Sequence, residues 1–188
     1  MKKIIFTVLI SLLLCGSNTF AQDRAPSEKY GNTLNLGLGI GHRYVGHSTP
    51  VFHLNYEIDV AKNFTLAPFI TYYSYRNNHY YGGPNSPYKH YGYRQSVIPI
   101  GLKGTYYFDQ LLNAPSNWDF YAAGSLGFAI RSTRWDDNYY GHDLNRGHGA
   151  GMLYLDIHIG AEYHLNNKFG IFLDLSSGIS TIGLAVHL

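Results

Sequence analysis

The sequence predicts an all-β protein, an eight-stranded antiparallel transmembrane β-barrel that follows a cleaved signal peptide. Three observations lead to this prediction. The N-terminus joins two lysines to a short apolar run, as secretory signals do. Eight later segments alternate apolar and polar residues with the period of a β-strand. The connections between these segments alternate between short and long, which is typical of outer-membrane barrels.

The N-terminal apolar run covers Ile4–Leu14 and is too short to span a bilayer as a mature helix. Polar and small residues follow it, and we expect cleavage after Ala21. The predicted domain boundaries are therefore a signal peptide over residues 1–21, a polar leader over residues 22–32 and the barrel over residues 33–188. The signal sends the chain out of the cytoplasm.

The composition suits a barrel that contacts lipid. The chain has 21 glycines, 18 tyrosines and only 14% charged residues, as expected where strands face lipid between aromatic belts. Loss of Lys2 and Lys3 with the signal lowers the 14 basic residues to 12, which equals the 12 acidic residues. A neutral chain gives no reason to expect nucleic acid as a partner. The single cysteine, Cys15, follows a leucine rather than a small residue, so we expect signal cleavage rather than lipidation.

Each of the eight segments places apolar side chains on one face. The first is the plainest, because Leu34, Leu36, Leu38 and Ile40 alternate with an asparagine and glycines. From first to last apolar residue, the segments are Leu34–Ile40, Phe52–Val60, Phe64–Tyr72, Ile98–Phe108, Phe120–Ile130, Leu153–Tyr163, Phe169–Leu175 and Ile182–Leu188. In a membrane barrel the apolar face meets lipid and the polar face lines the lumen.

Charged residues inside the segments all fall on the predicted polar face. They are Glu57, Asp59, Lys103, Arg131, Asp156, Glu162 and Asp174. A soluble barrel with an apolar interior would show the same alternation, so periodicity alone does not separate the two classes. Pro68 and Pro99 fall inside predicted strands, where we expect bulges or locally broken pairing.

The connections favour the membrane barrel. Residues 61–63 and 166–168 form tight turns, whereas residues 76–94 and 132–149 are long and rich in Asn, Gly, Tyr and His. With the N-terminus in the periplasm, the long connections face the outside and the tight turns face the periplasm. Residues 109–117 form a somewhat longer periplasmic turn.

Three stretches carry a resemblance to a known family: Ile98–Phe108, with the sequence IPIGLKGTYYF, Phe120–Phe128, with the sequence FYAAGSLGF, and the closing strand. In these the chain resembles the small outer-membrane β-barrels of the OmpX/OmpA-like kind, in particular the stand-alone beta-barrel domain group. The resemblance covers essentially the whole mature chain. It implies an outer-membrane location in a diderm bacterium, outer-membrane lipid and the assembly machinery as partners, and a monomer. Such barrels usually end on an aromatic residue, whereas this chain ends on His187 and Leu188.

The inward charges predict a closed lumen. An eight-stranded barrel is about wide enough for side chains to fill it, and a buried charge needs a partner. We therefore expect Lys103 to bridge the carboxylates of Glu57, Glu162 and Asp174, and Arg131 to pair nearer the outer end. The inward glycines are expected to make room for these side chains; they are Gly37, Gly39, Gly101 and Gly127.

Aromatic residues near the long connections predict a recognition surface. The set is Tyr80, Tyr81, Tyr88, Tyr91, Tyr93, Trp135, Tyr139 and Tyr140. Tyrosine and tryptophan combine apolar area with a polar group, so they suit a surface protein or a glycan as ligand. The alternative is that they only form the outer interfacial belt. The predicted role is therefore structural or recognition work without catalysis, with a small-solute pore as an alternative.

The ten histidines raise the question of a metal site. His142 and Asp143 with His148, or His79 with His90, could supply ligands across a loop. Their spacings match no zinc signature, so the sequence assigns no metal and no cofactor.

A lipid-modifying enzyme is the other alternative, since some small outer-membrane barrels act on lipids through a serine and a histidine. The candidates are Ser48 beside His47, and Ser176 with Ser177 near the outer rim. None of them has an acidic neighbour in sequence, and no nucleophile elbow occurs. The sequence therefore assigns no catalytic residue.

Overall fold

The computed structural model describes residues 32–41, 49–81, 89–135 and 149–188; for residues 77–81, 89–91 and 149–151 the backbone alone is described. The predicted signal peptide and all but Asn32 of the predicted leader lie outside the described residues.

Eight strands close into one antiparallel barrel, which confirms the predicted fold class. Each strand pairs with its neighbours in sequence, and β1 pairs with β8 to close the sheet. The strands are β1 Thr33–Gly41, β2 Thr49–Ala61, β3 Phe64–Tyr81, β4 Lys89–Tyr107, β5 Trp118–Trp135, β6 Gly149–His164, β7 Phe169–Ser176 and β8 Ile179–His187. We call the end where β1 begins and β8 ends the terminal rim, and the opposite end the hairpin rim.

Burial alternates along each strand, but the apolar side chains are exposed and the polar side chains are buried, which is the inverse of a soluble protein. In β6, Ile157 is 75% exposed on the outer wall, whereas its neighbours Asp156 and His158 are 4% and 6% exposed inside the barrel. Exposed leucine, isoleucine or phenylalanine side chains occur on all eight strands. The predicted faces are therefore confirmed, except at Asp59, which is exposed near the end of β2, next to a shift of register between Asp59 and Ala61.

The connections at the terminal rim are short and defined by asparagines. Asn63 adopts a φ of 58° in the β2–β3 turn, a left-handed conformation that asparagine tolerates. In the β6–β7 turn, the Asn166 side chain accepts hydrogen bonds from the backbone amides of Lys168 and Phe169. The β4–β5 connection contains one helical turn, α1 (Asp109–Leu112). No helix in the described ranges has the length and apolarity needed to cross a bilayer.

The β3–β4 hairpin is longer than the sequence predicts. Residues 76–94 were expected to form a loop, but the strands stay paired from Arg76 and Arg94 to Tyr81 and Lys89. Tyrosine favours strands and packs well across a ladder, so pairing continues past the point where a polar composition suggested a loop. With β5 and β6, this hairpin makes the sheet extend farther at the hairpin rim than β1, β7 and β8 do.

Both prolines coincide with interruptions of the ladder, as predicted. Near Pro68, the β2–β3 pairing stops after Asn55 and resumes at Ile58 in the same register. At Pro99, the β3–β4 pairing is interrupted likewise, between Ile100 and Val97. A proline has no N–H to donate to the ladder. Pro68 is therefore unpaired on the side of β2 and pairs with β4, and Pro99 is unpaired on the side of β3 and pairs with β5.

Candidate functional site

The middle of the barrel interior is organised around Asp174. Its carboxylate forms an ion pair with Lys103 and accepts hydrogen bonds from His158 Nδ1 at 2.7 Å and Tyr121 Oη at 3.2 Å. The Lys103 ammonium also lies 4.9 Å from the centre of the Tyr121 ring. All of these groups are buried, so the cation and the anion neutralise each other where water is scarce.

Glu57 occupies a separate position closer to the terminal rim. Its carboxylate accepts hydrogen bonds from Asn35 Nδ2 at 2.9 Å, Thr65 Oγ1 at 2.8 Å and Tyr107 Oη at 2.7 Å. Within the described part of the chain, neutral donors therefore surround Glu57. Its predicted bridge through Lys103 is replaced by this set of hydrogen bonds.

Asp156 lies within β6, beside the hairpin-rim end of β7. It accepts hydrogen bonds from the hydroxyls of Ser176 at 2.9 Å and Ser177 at 2.6 Å, and from the Ile179 amide at 3.3 Å. The two serines considered as nucleophiles thus donate to a carboxylate that holds the β7–β8 turn. Ser48 and His47, the other pair considered, lie outside the described residues.

Arg131 lies nearer the hairpin rim, at the height where the prediction places it. The guanidinium donates a hydrogen bond to the sulfur of Met152. Close by, Gln95 Nε2 donates to Thr133 Oγ1 at 2.9 Å, and Tyr75 donates to Gln95. Polar contacts inside the barrel therefore continue from Lys103 toward the hairpin rim.

Sequence reasoning missed a chain of three groups that runs along the inner wall over three adjacent strands. Ser125 Oγ lies 2.9 Å from His158 Nε2, and His158 Nδ1 lies 2.7 Å from Asp174. Ser125, His158 and Asp174 come from strands β5, β6 and β7, so their spacing in sequence gives no sign of the contact. The order serine, histidine, aspartate matches that of a hydrolytic triad.

A second cluster that the sequence did not predict lies at the terminal rim. His187 Nε2 is 2.8 Å from Glu162 Oε1, and His164 Nδ1 is 3.9 Å from the same oxygen. Asp119 contacts His164 Nε2 at 2.7 Å. Glu162 was expected beside Lys103, but it faces these two histidines, which come from the ends of β6 and β8.

Two phenylalanines lie in the barrel interior, where the prediction placed polar side chains. Phe69 and Phe172 point inward and are 6% and 4% exposed. The centres of the Phe69 and Tyr154 rings lie 5.6 Å apart. Beside these side chains, a cavity of about 10 Å³ is lined by residues that include His53, Phe69 and Asp174, close to the least volume that a single water needs.

The four glycines predicted to make room for the charged side chains have other neighbours. A Cβ at Gly37 would lie 3.1 Å from the Phe172 ring, so this glycine makes room for a side chain. At Gly39, Gly101 and Gly127 a Cβ would lie 2.0 to 2.2 Å from a backbone carbonyl oxygen of the adjacent strand. These three positions serve the close approach of neighbouring backbones. Gly39 also makes room for the Thr181 side chain, whereas the nearest atoms at Gly101 and Gly127 are all backbone, so the prediction that these two accommodate side chains is wrong.

The predicted recognition residues divide into three groups. Tyr93 and Trp135 are cross-strand partners on β4 and β5, and their ring centres lie 5.0 Å apart. Tyr80, Tyr81 and Tyr91 belong to strands rather than a loop, and their backbone alone is described, as is that of His79 and His90. Tyr88, Tyr139, Tyr140, His142, Asp143 and His148 lie outside the described residues.

No protein-family model and no curated protein matches the chain. Among solved structures, a de novo designed transmembrane β-barrel is similar over 83% of this chain and 95% of its own, with 12% identity and a TM-score of 0.43. Ail, the attachment invasion locus protein of Yersinia pestis, crystallised with the heparin analogue sucrose octasulfate, covers 82% and 94%, with 7% identity and a TM-score of 0.45. Ail in a phospholipid nanodisc covers 82% and 96%, with 11% identity and a TM-score of 0.41. The likeness is one of architecture.

Proposed function

We propose that this chain is an outer-membrane β-barrel of a diderm bacterium, exported by the signal peptide over residues 1–21. The observation that carries the proposal is the inverse burial of its strands. Apolar side chains such as Leu38, Phe128 and Ile157 are more than half exposed, while the Lys103–Asp174 ion pair is buried. Exposed apolar surface on this scale is unfavourable in water and favourable in lipid.

The proposed barrel has a closed lumen and conducts no solutes. Support comes from the ion pair at mid-height, the inward rings of Phe69 and Phe172 and the hydrogen-bonded carboxylates above and below. Eight strands leave an interior that side chains of this size fill. Assignment as a pore is therefore the weaker alternative.

Its proposed work is structural or recognition work at the cell surface, through the extended β3–β4 hairpin and the neighbouring ends of β5 and β6. Support comes from the length of these strands and from the Tyr93–Trp135 pair on them. Aromatic rings on a rigid sheet lose little entropy on binding and suit a surface protein or a glycan.

One observation favours an enzyme as a second candidate, namely the alignment of Ser125, His158 and Asp174. We propose instead that these groups have a structural role and fill the barrel interior. The cavity beside them holds about one water, and Asp174 also pairs with Lys103. A serine-reactive fluorophosphonate should leave the native barrel unlabelled; labelling that Ser125→Ala abolishes would reverse this assignment.

Membrane placement is tested by fractionating cells that express the chain. We expect the protein in the outer-membrane fraction, extracted by detergent only, with different electrophoretic mobility before and after boiling because closed barrels resist unfolding. Release by osmotic shock in a water-soluble form would contradict the proposal and favour a soluble periplasmic barrel.

Recognition is tested with two matched pairs of aromatic residues. Tyr93 and Trp135 lie 5.0 Å apart at the hairpin rim, and Trp118 and Tyr163 lie 5.0 Å apart at the terminal rim. We expect Tyr93→Ala with Trp135→Ala to lower adhesion to cells or matrix, and Trp118→Ala with Tyr163→Ala to leave it unchanged in barrels that stay heat-modifiable. Equal adhesion by both double variants would leave the hairpin-rim pair as an interfacial belt.

A further inference from the structure

We propose that the terminal rim holds a binding site for a divalent transition metal of the Zn²⁺ class. Its ligands are Glu162, His164 and His187. One nitrogen from each histidine and one carboxylate oxygen all lie within 4.8 Å of one another. Imidazole and carboxylate are the ligands of many zinc sites, and a set of two histidines and one glutamate is one that zinc accepts.

The distances fit an empty site that closes slightly around an ion. Glu162 Oε1 lies 2.8 Å from His187 Nε2 and 3.9 Å from His164 Nδ1. Two ligands on one zinc ion, each bound at about 2.0 to 2.1 Å, stand roughly 3.3 Å apart in tetrahedral geometry. The Glu162–His187 distance therefore lengthens and the Glu162–His164 distance shortens, each by about half an ångström. Rotation of the side chains also brings together the two histidine nitrogens, which lie within 4.8 Å of each other.

The outer nitrogen of each histidine is already engaged. Asp119 Oδ2 contacts His164 Nε2 at 2.7 Å, and Thr33 Oγ1 contacts His187 Nδ1 at 3.0 Å. Carboxylate or hydroxyl partners of this kind fix the orientation of metal-binding histidines. They leave His164 Nδ1 and His187 Nε2 directed toward Glu162.

An unsatisfied pair of polar atoms points to the missing ligand. Glu162 Oε1 and His187 Nε2 are buried, and neither makes a hydrogen bond of acceptable geometry despite their 2.8 Å separation. The Glu162 side chain is only 7% exposed, so the lack of a well-oriented hydrogen bond to this oxygen is costly. A metal ion coordinated by both atoms would satisfy them together.

Space and access also suit an ion. A Cβ at Gly170, which is paired with His164, would lie 2.1 Å from Glu162 Oε1, so this glycine leaves the carboxylate its position. The His164 and His187 side chains are 26% and 18% exposed, so the site can be reached from the rim. Three protein ligands leave a fourth position for water. Nitrogen ligands favour Zn²⁺, Co²⁺, Ni²⁺ or Cu²⁺ over Mg²⁺ and Ca²⁺.

The test is a titration of the purified, chelator-treated barrel without an affinity tag, using Co²⁺ followed by visible absorption and Zn²⁺ as competitor. We expect one equivalent to bind with the spectrum of a four-coordinate ion. His187→Ala should weaken binding at least about 100-fold, and Asp119→Asn about 10-fold. The matched control, His142→Ala with His148→Ala, removes two histidines of the segment that joins β5 to β6 in sequence and should bind as the wild type does.

Unchanged affinity in His187→Ala, or loss of binding only in the His142→Ala and His148→Ala control, would overturn the site. Heat modifiability identifies any variant that fails to fold. X-ray absorption of the zinc-loaded wild type then decides without mutation. Two imidazoles with oxygen at about 2.0 to 2.2 Å support the proposal, and an all-oxygen shell refutes it.

Discussion

Lys103 is the residue on which the barrel interior depends most. It neutralises Asp174 in a position where both side chains are 3 to 4% exposed. Removing one member of a buried pair leaves the other charge without compensation, and this costs about 3 to 5 kcal/mol. The Tyr121 hydroxyl that donates to Asp174 softens this cost but carries no positive charge.

We therefore expect Lys103→Met to lower the free energy of unfolding by a few kcal/mol. The change keeps the length of the side chain and removes its charge. Urea unfolding in lipid vesicles, followed by the fluorescence of the two tryptophans, measures the loss.

Lys168→Met is the matched control, because Lys168 is exposed in the β6–β7 turn and its loss should change stability by less than about 0.5 kcal/mol. Adding Asp174→Asn to Lys103→Met should recover part of the loss. Equal stability of Lys103→Met and the wild type would show that the ion pair contributes nothing.

At the scale of single elements, the β7–β8 turn depends on a carboxylate from another strand. Asp156 on β6 holds the hydroxyls of Ser176 and Ser177 and the Ile179 amide. We expect Asp156→Ala to loosen this turn and to cost about 2 kcal/mol, mainly through the Ser177 hydroxyl, which loses its carboxylate acceptor, because Ser176 and Ile179 also hydrogen-bond each other.

Hydrogen exchange at the Ile179 amide measures the effect locally, and exchange should be faster in Asp156→Ala than in the wild type. Asp59→Ala, at an exposed aspartate on β2, serves as the control. Unchanged protection of Ile179 in the Asp156 variant would mean that the ladder and the Ser176–Ile179 hydrogen bonds hold the turn without the carboxylate.

The β4–β5 ladder contains a close approach that only glycine permits. A Cβ at Gly127 would lie 2.0 Å from the Ile100 carbonyl oxygen, whereas a Cβ at Gly124 meets nothing within 4 Å. We expect Gly127→Ala to reduce the yield of folded barrel, and Gly124→Ala on the same strand to fold normally. The heat-modifiable fraction after refolding measures both, and equal yields would contradict the account of this contact.

Residue alternation was sufficient to predict all eight strands, because one face of each strand contacts the outside and the other is enclosed. Strand ends were harder, since Tyr91 and Tyr93 can extend a hairpin or lie in a loop, and only pairing with β3 decides. The contacts between side chains inside the barrel were harder still to predict. Glu162 and Lys103 share the polar face, but His187 on β8 reaches Glu162 on β6 past the end of β7, and the order of residues along the chain does not encode that proximity.

For the whole molecule, closure of the sheet is what allows apolar side chains to be exposed outside and polar side chains to be buried inside. A closed sheet has no unpaired edge, so its backbone polar groups are satisfied without water, and its outer wall can be apolar. The interior then has to accommodate every polar side chain of the inward face. Charges paired across the interior, as between Lys103 and Asp174, are the consequence.

Electrical recording from the wild-type barrel in a planar bilayer tests the central claim most directly. A lumen filled by Lys103, Asp174 and the inward aromatic rings predicts insertion, confirmed by protease protection, with no steady current above that of a detergent control. A steady, sizeable and long-lived conductance would contradict the closed lumen and make the chain a small-solute pore.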